Sequence, residues 1–258
     1  MSFSQYYFLA DAMARMSLRA DAKRFFLGYL WWIIEPFLYV AVFYVVFTVI
    51  LVSRQEDFLV FLMIGKFIYL WFAKAVTQAS NSIVLGKGLI SKLNIPKTLF
   101  PLAVIQESLY KQAAVFFLLF AVLIYNGYGI TMNWWYLLPV IAVNYVMILA
   151  CGYVGATLVC IVRDFFPLIS LGMLFMMFMS GVFWNVRDLG SPEKTDLVLT
   201  YNPLAFILDA YRQILLYDTP PDITHLLALF LVFLGMLLGI SWIMRRTSQF
   251  LALKALTA

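Results

Sequence analysis

The chain has 258 residues, of which 64% are hydrophobic and only 12% charged, against roughly 45–50% and ~25% in a soluble domain. That balance excludes a water-soluble globule and a disordered chain, and runs such as 112–124 and 226–244, apolar on every face, exclude the alternating strands of an outer-membrane barrel. The net charge of +5 is then a matter of membrane sidedness rather than a nucleic-acid footprint, and no nucleic-acid partner is expected.

Residues 1–27 carry charges where a signal peptide would have its apolar stretch, so no cleavable signal is expected. Tyr6, Leu9, Met13, Met16 and Ala20 recur at spacings of three and four, while Asp11, Arg15, Arg19 and Lys23 follow one another every four residues. This pattern predicts an amphipathic helix at the membrane interface, an ordinary packed helix being the alternative. A first span is expected over 28–52, opened by Gly28 and kinked early by Pro36, and after a polar turn a second over 58–80. The connector 81–100 carries Lys87, Lys92 and Lys97, no acid, and Pro96 near its end. Further spans are expected over 101–125, 134–162 and 167–184, the last two separated by a tight turn at Arg163, Asp164 and Pro167. Residues 185–222 break the pattern with six acids and Pro192, Pro203, Pro220 and Pro221. Within them, 203–217 reads as a short amphipathic helix starting on proline, too short to cross. The last span is expected over 224–244.

The expected fold is therefore an all-α membrane protein, one domain over 1–258. It has six transmembrane helices, an N-terminal interface helix, and short re-entrant or outer-surface helices before the last span. If the N-terminus is cytoplasmic, the inside segments hold eleven cations, namely Arg15, Arg19, Lys23, Arg24, Lys87, Lys92, Lys97, Arg163, Arg245, Arg246 and Lys254. The outside segments hold four, Arg54, Arg187, Lys194 and Arg212. Both termini are then expected to be cytoplasmic.

There is no phosphate-binding G-x-x-x-x-G-K-[ST] loop, no HExxH and no CxxC, so neither ATP hydrolysis nor a metal site is expected of this chain. Cys151 and Cys160 share one apolar run and read as packing residues, and His225 as an interface residue. The informative groups are charges inside spans, each costing roughly 2.5–3.5 kcal/mol to insert. Glu35, Lys74, Glu107 and Lys111 fall at similar depths and read either as structural ion pairs or as a polar entrance for an anionic substrate. Lys66 lies deeper with no acid at its level and is a candidate for facing a water-filled path. Tyr39, Tyr44, Tyr69, Trp71 and Trp184 offer apolar faces with hydrogen-bonding edges, which suit sugar rings, although aromatics also form interfacial belts and fill membrane cores. The 81–100 loop has the makings of a docking element for a soluble motor, or of a lysine patch drawn to anionic lipid.

RFFLGYLWWIIEPFLYVAVFYVVF (24–47), LISKLNIPKTLFPLA (89–103), RDFFP (163–167) and YNPLAFILDAYRQILL (201–216) together resemble, in order along the chain, the hallmarks of the ABC-2 type permeases that export bacterial polysaccharides such as O-antigen, capsule or teichoic acid. The resemblance implies a homodimer in the bacterial inner membrane, with two nucleotide-binding ATPase subunits carrying ATP and Mg2+ and no cofactor on this chain. It implies a coupling element within 81–100, with Gly86, Lys87, Lys92, Pro96 and Lys97, and a re-entrant region at 185–222 that helps close the exit. It implies a lipid-linked polysaccharide entering from the membrane lipid near the interface helix and span one. There, by our inference from charge, Arg15, Arg19, Lys23 and Arg24 meet its phosphate. Spans one and five are expected at the dimer interface, where Gly172, Ser180 and Gly181 permit close approach. An ABC-2 permease for a drug or lipid, or a membrane-embedded transferase, are the alternatives; for the latter, Glu35, Glu107 and His225 do not cluster by depth.

Overall fold

The computed structural model describes residues 3–24, 26–46, 57–93 and 95–257, and every regular element among them is helical. The chain order is α1 (Phe3–Arg24), α2 (Trp31–Tyr44), α3 (Phe58–Ser80), α4 (Ser82–Leu85), α5 (Lys87–Ile90), α6 (Leu99–Tyr125), α7 (Leu137–Ile161), α8 (Phe165–Met179), α9 (Pro192–Tyr201), α10 (Pro203–Leu215), α11 (Ile223–Arg246) and α12 (Ser248–Thr257). Four helical stretches are long and apolar enough to cross a membrane: Phe58–Ser80, Leu99–Tyr125, Met132–Ile161 and Ile223–Arg246. The first expected span is shorter in the structure. It opens with a 3-10 turn at Gly28–Leu30 and continues as α2 straight through Pro36, and residues 47–52 of the expectation lie outside the described residues. α1 and the stretch from Gly28 meet at 101°, so α1 lies across the direction of α2. α8 ends at Met179, earlier than expected; at ~1.5 Å per residue its 15 residues reach only about 22 Å.

Local sequence explains the helix ends. Pro101 falls in the first turn of α6, where its missing N–H has no partner to lose. α10 starts on Pro203 behind Asn202, whose side-chain oxygen accepts from the Ala205 N–H, and α11 starts behind Asp222, which accepts from the Thr224 and His225 N–H groups. Arg245 and Arg246 stand at the C-terminal, negative end of the α11 dipole.

α3 is the central post. It packs on α2, α6, α7, α8 and α10 and is buried over most of its length. The α3–α7 contact is close because α7 presents Gly155 to Ser80, where an added Cβ would fall 2.1 Å from the serine Oγ. A second apolar cluster sits at one end, where Ala10, Ile83, Ile90, Leu99, Phe100, Tyr153, Met244, Leu251 and Ala255 join α1, α4, α5, α6, α7, α11 and α12. Cys160 is free and contacts the Leu251 carbonyl in that cluster, and Cys151 is also free. His225 stacks on Phe206 at 4.1 Å.

The sequence reading counts Arg212 among loop cations, and the structure overturns that placement. α10 is buried from Leu204 to Leu215, and Arg212 is 1% exposed. Its guanidinium donates to the carbonyls of Gly181 (2.7 Å), Val182 (3.1 Å) and Phe61 (3.4 Å), and lies 3.5 Å from the centre of the Phe61 ring. Gly65 makes room for it: a Cβ there would sit 2.3 Å from a guanidinium nitrogen. Ser180 and Gly181, expected as small residues within a span, instead form the turn after α8, with Gly181 at φ +73°. Gly172 has open space where its side chain would be.

Replacing Arg212 by Lys keeps a charge but not the planar fork that reaches several carbonyls, and is expected to cost about 2 kcal/mol in thermal unfolding of the purified protein. Gly65→Ala is expected to lower the midpoint as well, whereas Gly235→Ala in α11, where a Cβ meets nothing within 4 Å, is expected to leave it unchanged. Equal behaviour of the two glycine variants would remove the Arg212 packing account.

Candidate functional site

A cavity of about 290 Å³ opens between α1, α2, α3 and α6. Four charged residues line it, Asp21, Glu35, Lys74 and Lys111, together with the amides of Gln78 and Gln112 and the indoles of Trp31, Trp32 and Trp71. The charges are paired. Lys74 meets Glu35 at 2.6 Å between α3 and α2, and Lys111 meets both Glu107 one turn earlier on α6 and Asp21 on α1, each at 2.6 Å. Lys111 also lies 5.5 Å from the centre of the Trp32 ring. The cluster thus holds three carboxylates and two ammoniums, with Asp21 as a member that the sequence reading missed. The spacing of Asp21 from Lys23 and Arg24 gave no hint of it, because its partner is 90 residues away. Trp71 is buried and meets Phe116 edge-on at 5.9 Å. The Nε1 of Trp71 and the Nε2 of Gln112 are both buried donors without a hydrogen-bond partner among the described residues. Indole faces beside compensated charges suit a neutral, hydroxyl-rich ligand better than a free anion.

Lys66 is on a different side of α3. It is 3% exposed, with its Nζ 2.9 Å from the Met177 sulfur and 5.3 and 5.8 Å from the ring centres of Tyr39 and Phe183. In a single chain it is therefore packed between α2 and α8 rather than lining an open path. Tyr69 is also buried, and its hydroxyl donates to the Met173 carbonyl on α8. Tyr39 is exposed on α2, Tyr44 is half-buried near the end of that helix, and the Trp184 N–H donates to the Phe178 carbonyl. The aromatic candidates thus divide. Trp71 belongs to the cavity, Tyr39 and Tyr69 to the α2–α3–α8 side with Lys66, and Trp184 to the turn after α8.

α1 is tied to α6 at three levels. The Tyr6 hydroxyl donates to Thr98 Oγ1 (2.9 Å), the Tyr110 hydroxyl donates to Asp11, and Asp21 pairs with Lys111. Ala10 and Ala14 are buried, with Tyr6, Leu9 and Met13 packed on the second apolar cluster. The outer surface of α1 mixes Arg15, Arg19 and Lys23 with the exposed Phe8 and Met16. It does not divide into the two clean faces that the spacing predicts. Arg15 pairs with Asp11 at 2.9 Å, and the side chain of Arg24 lies outside the described residues. The Tyr110 hydroxyl, and next Arg15, hold the Asp11 carboxyl below the usual carboxylate range.

The loop after α3 folds into the two single-turn helices α4 and α5. Gly86 sits between them against the Phe100 ring, where a Cβ would fall 2.4 Å from a ring carbon. Lys87 and Lys92 are exposed beside the exposed Leu85, Leu89 and Leu93, forming a knob of leucines and lysines. Pro96 is half-buried. Lys97 turns inward: it is 3% exposed, its Nζ donates to the Ile95 carbonyl at 3.0 Å, and burial pushes its ammonium below the ordinary lysine value. At the opposite end, Arg187 forms a two-pronged pair with Asp209 (3.0 and 2.8 Å), and Gln213 donates to the same carboxylate. Asn202, besides capping α10, donates to the Met179 carbonyl at the end of α8.

Residues 11–216 match the sequence profile of the ABC-2 type transporter family. Among characterised relatives, the chain is similar to two proteins named O-antigen export system permease protein RfbA from Klebsiella pneumoniae. Each is 27% identical, over 82% of this chain and 81% of the first, and over 80% and 79% for the second. A protein of the same name from Myxococcus xanthus is 25% identical over 87% of this chain and 86% of its own.

Glu35→Lys or Lys74→Glu alone places like charges together. Because both groups are more than a third exposed, each change is expected to cost only about 1 kcal/mol, read as roughly 2–4 °C in the unfolding midpoint. The double exchange should recover at least half of that loss. For α1 the sign follows from the lowered Asp11 value. The tie is complete above the ordinary carboxylate pKa of about 4 and is lost as pH falls through the lowered value. Hydrogen exchange of the α1 amides, corrected for intrinsic rates, should therefore rise on acidification, and Asp11→Asn should show that faster exchange already at neutral pH.

Proposed function

Because the chain belongs to the ABC-2 type transporter family, a membrane-embedded class, we propose that it is the transmembrane subunit of an ATP-driven exporter of a lipid-linked polysaccharide of O-antigen type. The observation that carries this reading is the similarity to three O-antigen export permeases over 80–87% of the chain. ATP and Mg2+ belong to separate nucleotide-binding subunits, and this chain contributes the path and the docking element.

The knob of Leu85, Leu89 and Leu93 with Lys87 and Lys92 is the surface on which such an ATPase docks. It is short, exposed, and backed by the rigid second apolar cluster. An exposed trio of leucines in a loop has a cost in water that a partner removes. The division of cations, eleven to three once the buried Arg212 is set aside, supports a cytoplasmic knob and cytoplasmic termini in a bacterial inner-membrane protein. In this arrangement α2, α3, α6, the Met132–Ile161 stretch, α8 and α11 make six crossings. The short α8 fits because the buried α10 dips back into the ~30 Å apolar layer from the other side. α8 has no fully buried residue, and α2 exposes Phe37, Leu38, Tyr39 and Val42. These two apolar faces on either side of Lys66 are where a second copy completes the path in a homodimer. The cavity beside α1 is where the neutral sugars next to the lipid carrier are first held, by the indoles of Trp31 and Trp32 and the amide of Gln78. Arg15, Arg19 and Lys23 on the outer surface of α1 attract the phosphate that joins sugar to lipid.

The test is copurification with the cognate ATPase, followed by ATPase and export assays. A complex of two permeases and two ATPases is expected. Leu89→Asp combined with Lys92→Glu should weaken that complex roughly tenfold or more and abolish export while the membrane protein still inserts and folds. Undiminished export by that variant would remove the docking surface. Failure of the folded wild-type chain to bind any ATPase would overturn the transporter reading.

A further inference from the structure

Behind the knob, the end of the 81–98 loop meets the junction of α11 and α12 around a second pocket of about 250 Å³. Its polar lining consists of donors: the Lys97 ammonium, the Arg245 guanidinium and the hydroxyls of Thr98 and Ser248, beside Pro96 and Met244. Thr98 Oγ1 already accepts from Tyr6, which leaves its own proton to donate. Among the described residues no carboxylate lines the pocket. The absence extends along both chain segments, since 81–106 and 223–258 contain no Asp or Glu at all while holding Lys87, Lys92, Lys97, Arg245, Arg246 and Lys254.

Lys97 makes this more than a surface patch. Two half-buried lysines, Lys74 and Lys111, meet a carboxylate at 2.6 Å, and the buried Lys66 packs on the Met177 sulfur and two aromatic rings. Lys97 is 97% buried and, among the described residues, has a single hydrogen bond, to a backbone carbonyl in its own turn. An ammonium has three donors, and a buried charge without a counter-charge costs several kcal/mol. An exposed lysine one residue along the loop would incur no such cost. The protein keeps this one inside, facing a pocket with a second cation at its rim.

We propose that this pocket is an anion site that binds a phosphate group through Lys97, Arg245, Thr98 and Ser248. Its volume suits a phosphate and the first atoms of its ester rather than a whole nucleotide, and Met244 and Pro96 give the ester an apolar wall. Two sources share this chemistry: the headgroup of an anionic phospholipid and free inorganic phosphate. The anion would neutralise Lys97 and fasten the root of the 81–98 loop to the α11–α12 junction, so that the loop is held from both ends. Lys97 is then a ligand for phosphate and not a contact to a docked partner, which its burial prevents. The inference takes from the proposed function only the side of the membrane.

The test measures the unfolding midpoint of the full chain in nanodiscs, at constant ionic strength set with chloride. Phosphatidylglycerol added to phosphatidylcholine, or inorganic phosphate added to pure phosphatidylcholine discs, should raise the midpoint by roughly 2–4 °C. A rise with lipid alone assigns the headgroup, and a rise with inorganic phosphate as well assigns the free ion; either supports the site. Lys97→Met and Arg245→Gln should each lose at least half of the rise. Lys97→Met, freed of its uncompensated charge, should start no lower than wild type in pure phosphatidylcholine. Arg245 is exposed, so its variant reports on the site even if the Lys97 variant folds poorly. Lys87→Gln with Lys92→Gln, on the knob, should keep the full rise. The proposal is overturned if both pocket variants respond like wild type, if the knob variant loses the rise equally, or if neither probe produces one. It is also overturned if only an added ATPase subunit gives a Lys97-dependent rise, since a protein carboxylate would then fill the pocket. Loss of export with the midpoint shifts intact would count against the proposed function and leave the site standing.

Discussion

Arg212 has no solvent to turn to, and one end of the bundle is arranged around that fact. In an apolar medium each polar group must be answered by another from the same chain. A guanidinium has five donors, and the two terminal nitrogens of Arg212 gather three backbone carbonyls, while its Nε is buried without a partner among the described residues. Gly181 and Val182 follow the last turn of α8 and Phe61 lies on α3, so one side chain binds three segments that are far apart in sequence. α8 can stop short, α10 can be buried without crossing, and Asn202 can bridge from the start of α10 to Met179 because that knot holds the turn between them. On the same helix, Asp209 is answered by side chains instead, from Arg187 in the turn before α9 and from Gln213 one turn along α10.

The other end solves the same problem with ion pairs. Glu35, Lys74, Glu107, Lys111 and Asp21 form a nearly neutral cluster that leaves room beside it for a ligand. Trp71 and Gln112 line that cavity, yet the Trp71 Nε1 and Gln112 Nε2 are themselves buried and have no partner among the described residues, a cost the cluster carries. Structure and proposed role therefore share one cause: a polar cavity in an apolar bundle is expensive to build and is justified by what it holds.

Much of this was legible in the sequence. The apolar runs marked α3, α6, the Met132–Ile161 stretch and α11 within a few residues, because a span must be long, continuous and predominantly apolar. Glu107 and Lys111 could be read as neighbours because four residues on a helix is one turn, and Glu35 and Lys74 could be matched by depth. What sequence could not supply was rotation. A helix that is apolar all round does not announce which side faces inward, so Tyr69 and Trp71, two residues apart, read alike and fall on different sides of α3. Arg212 was counted as a loop cation because its segment is rich in acids and prolines. Its true partners are backbone carbonyls, which carry no residue-type signal. Asp21 was missed for the same reason that α1 was expected to be cleanly two-faced: its partner comes from α6, and only the fold brings them together. Lys97 and Lys92 look equivalent in a lysine-rich loop, yet one is buried and the other exposed.

The three ties between α1 and α6 begin at Thr98, the residue that ends the 81–98 loop and opens α6. α1, the loop and the first turns of α6 are thereby parts of one lever. Under the proposed function, a push received at the knob would reach α1 through these ties, so that a tilt of α6 would carry α1 and its outer cations with it. The stroke that a motor delivers and the port through which cargo arrives would then share a single hinge, so that opening the port and loading the motor are one movement rather than two events in need of synchrony.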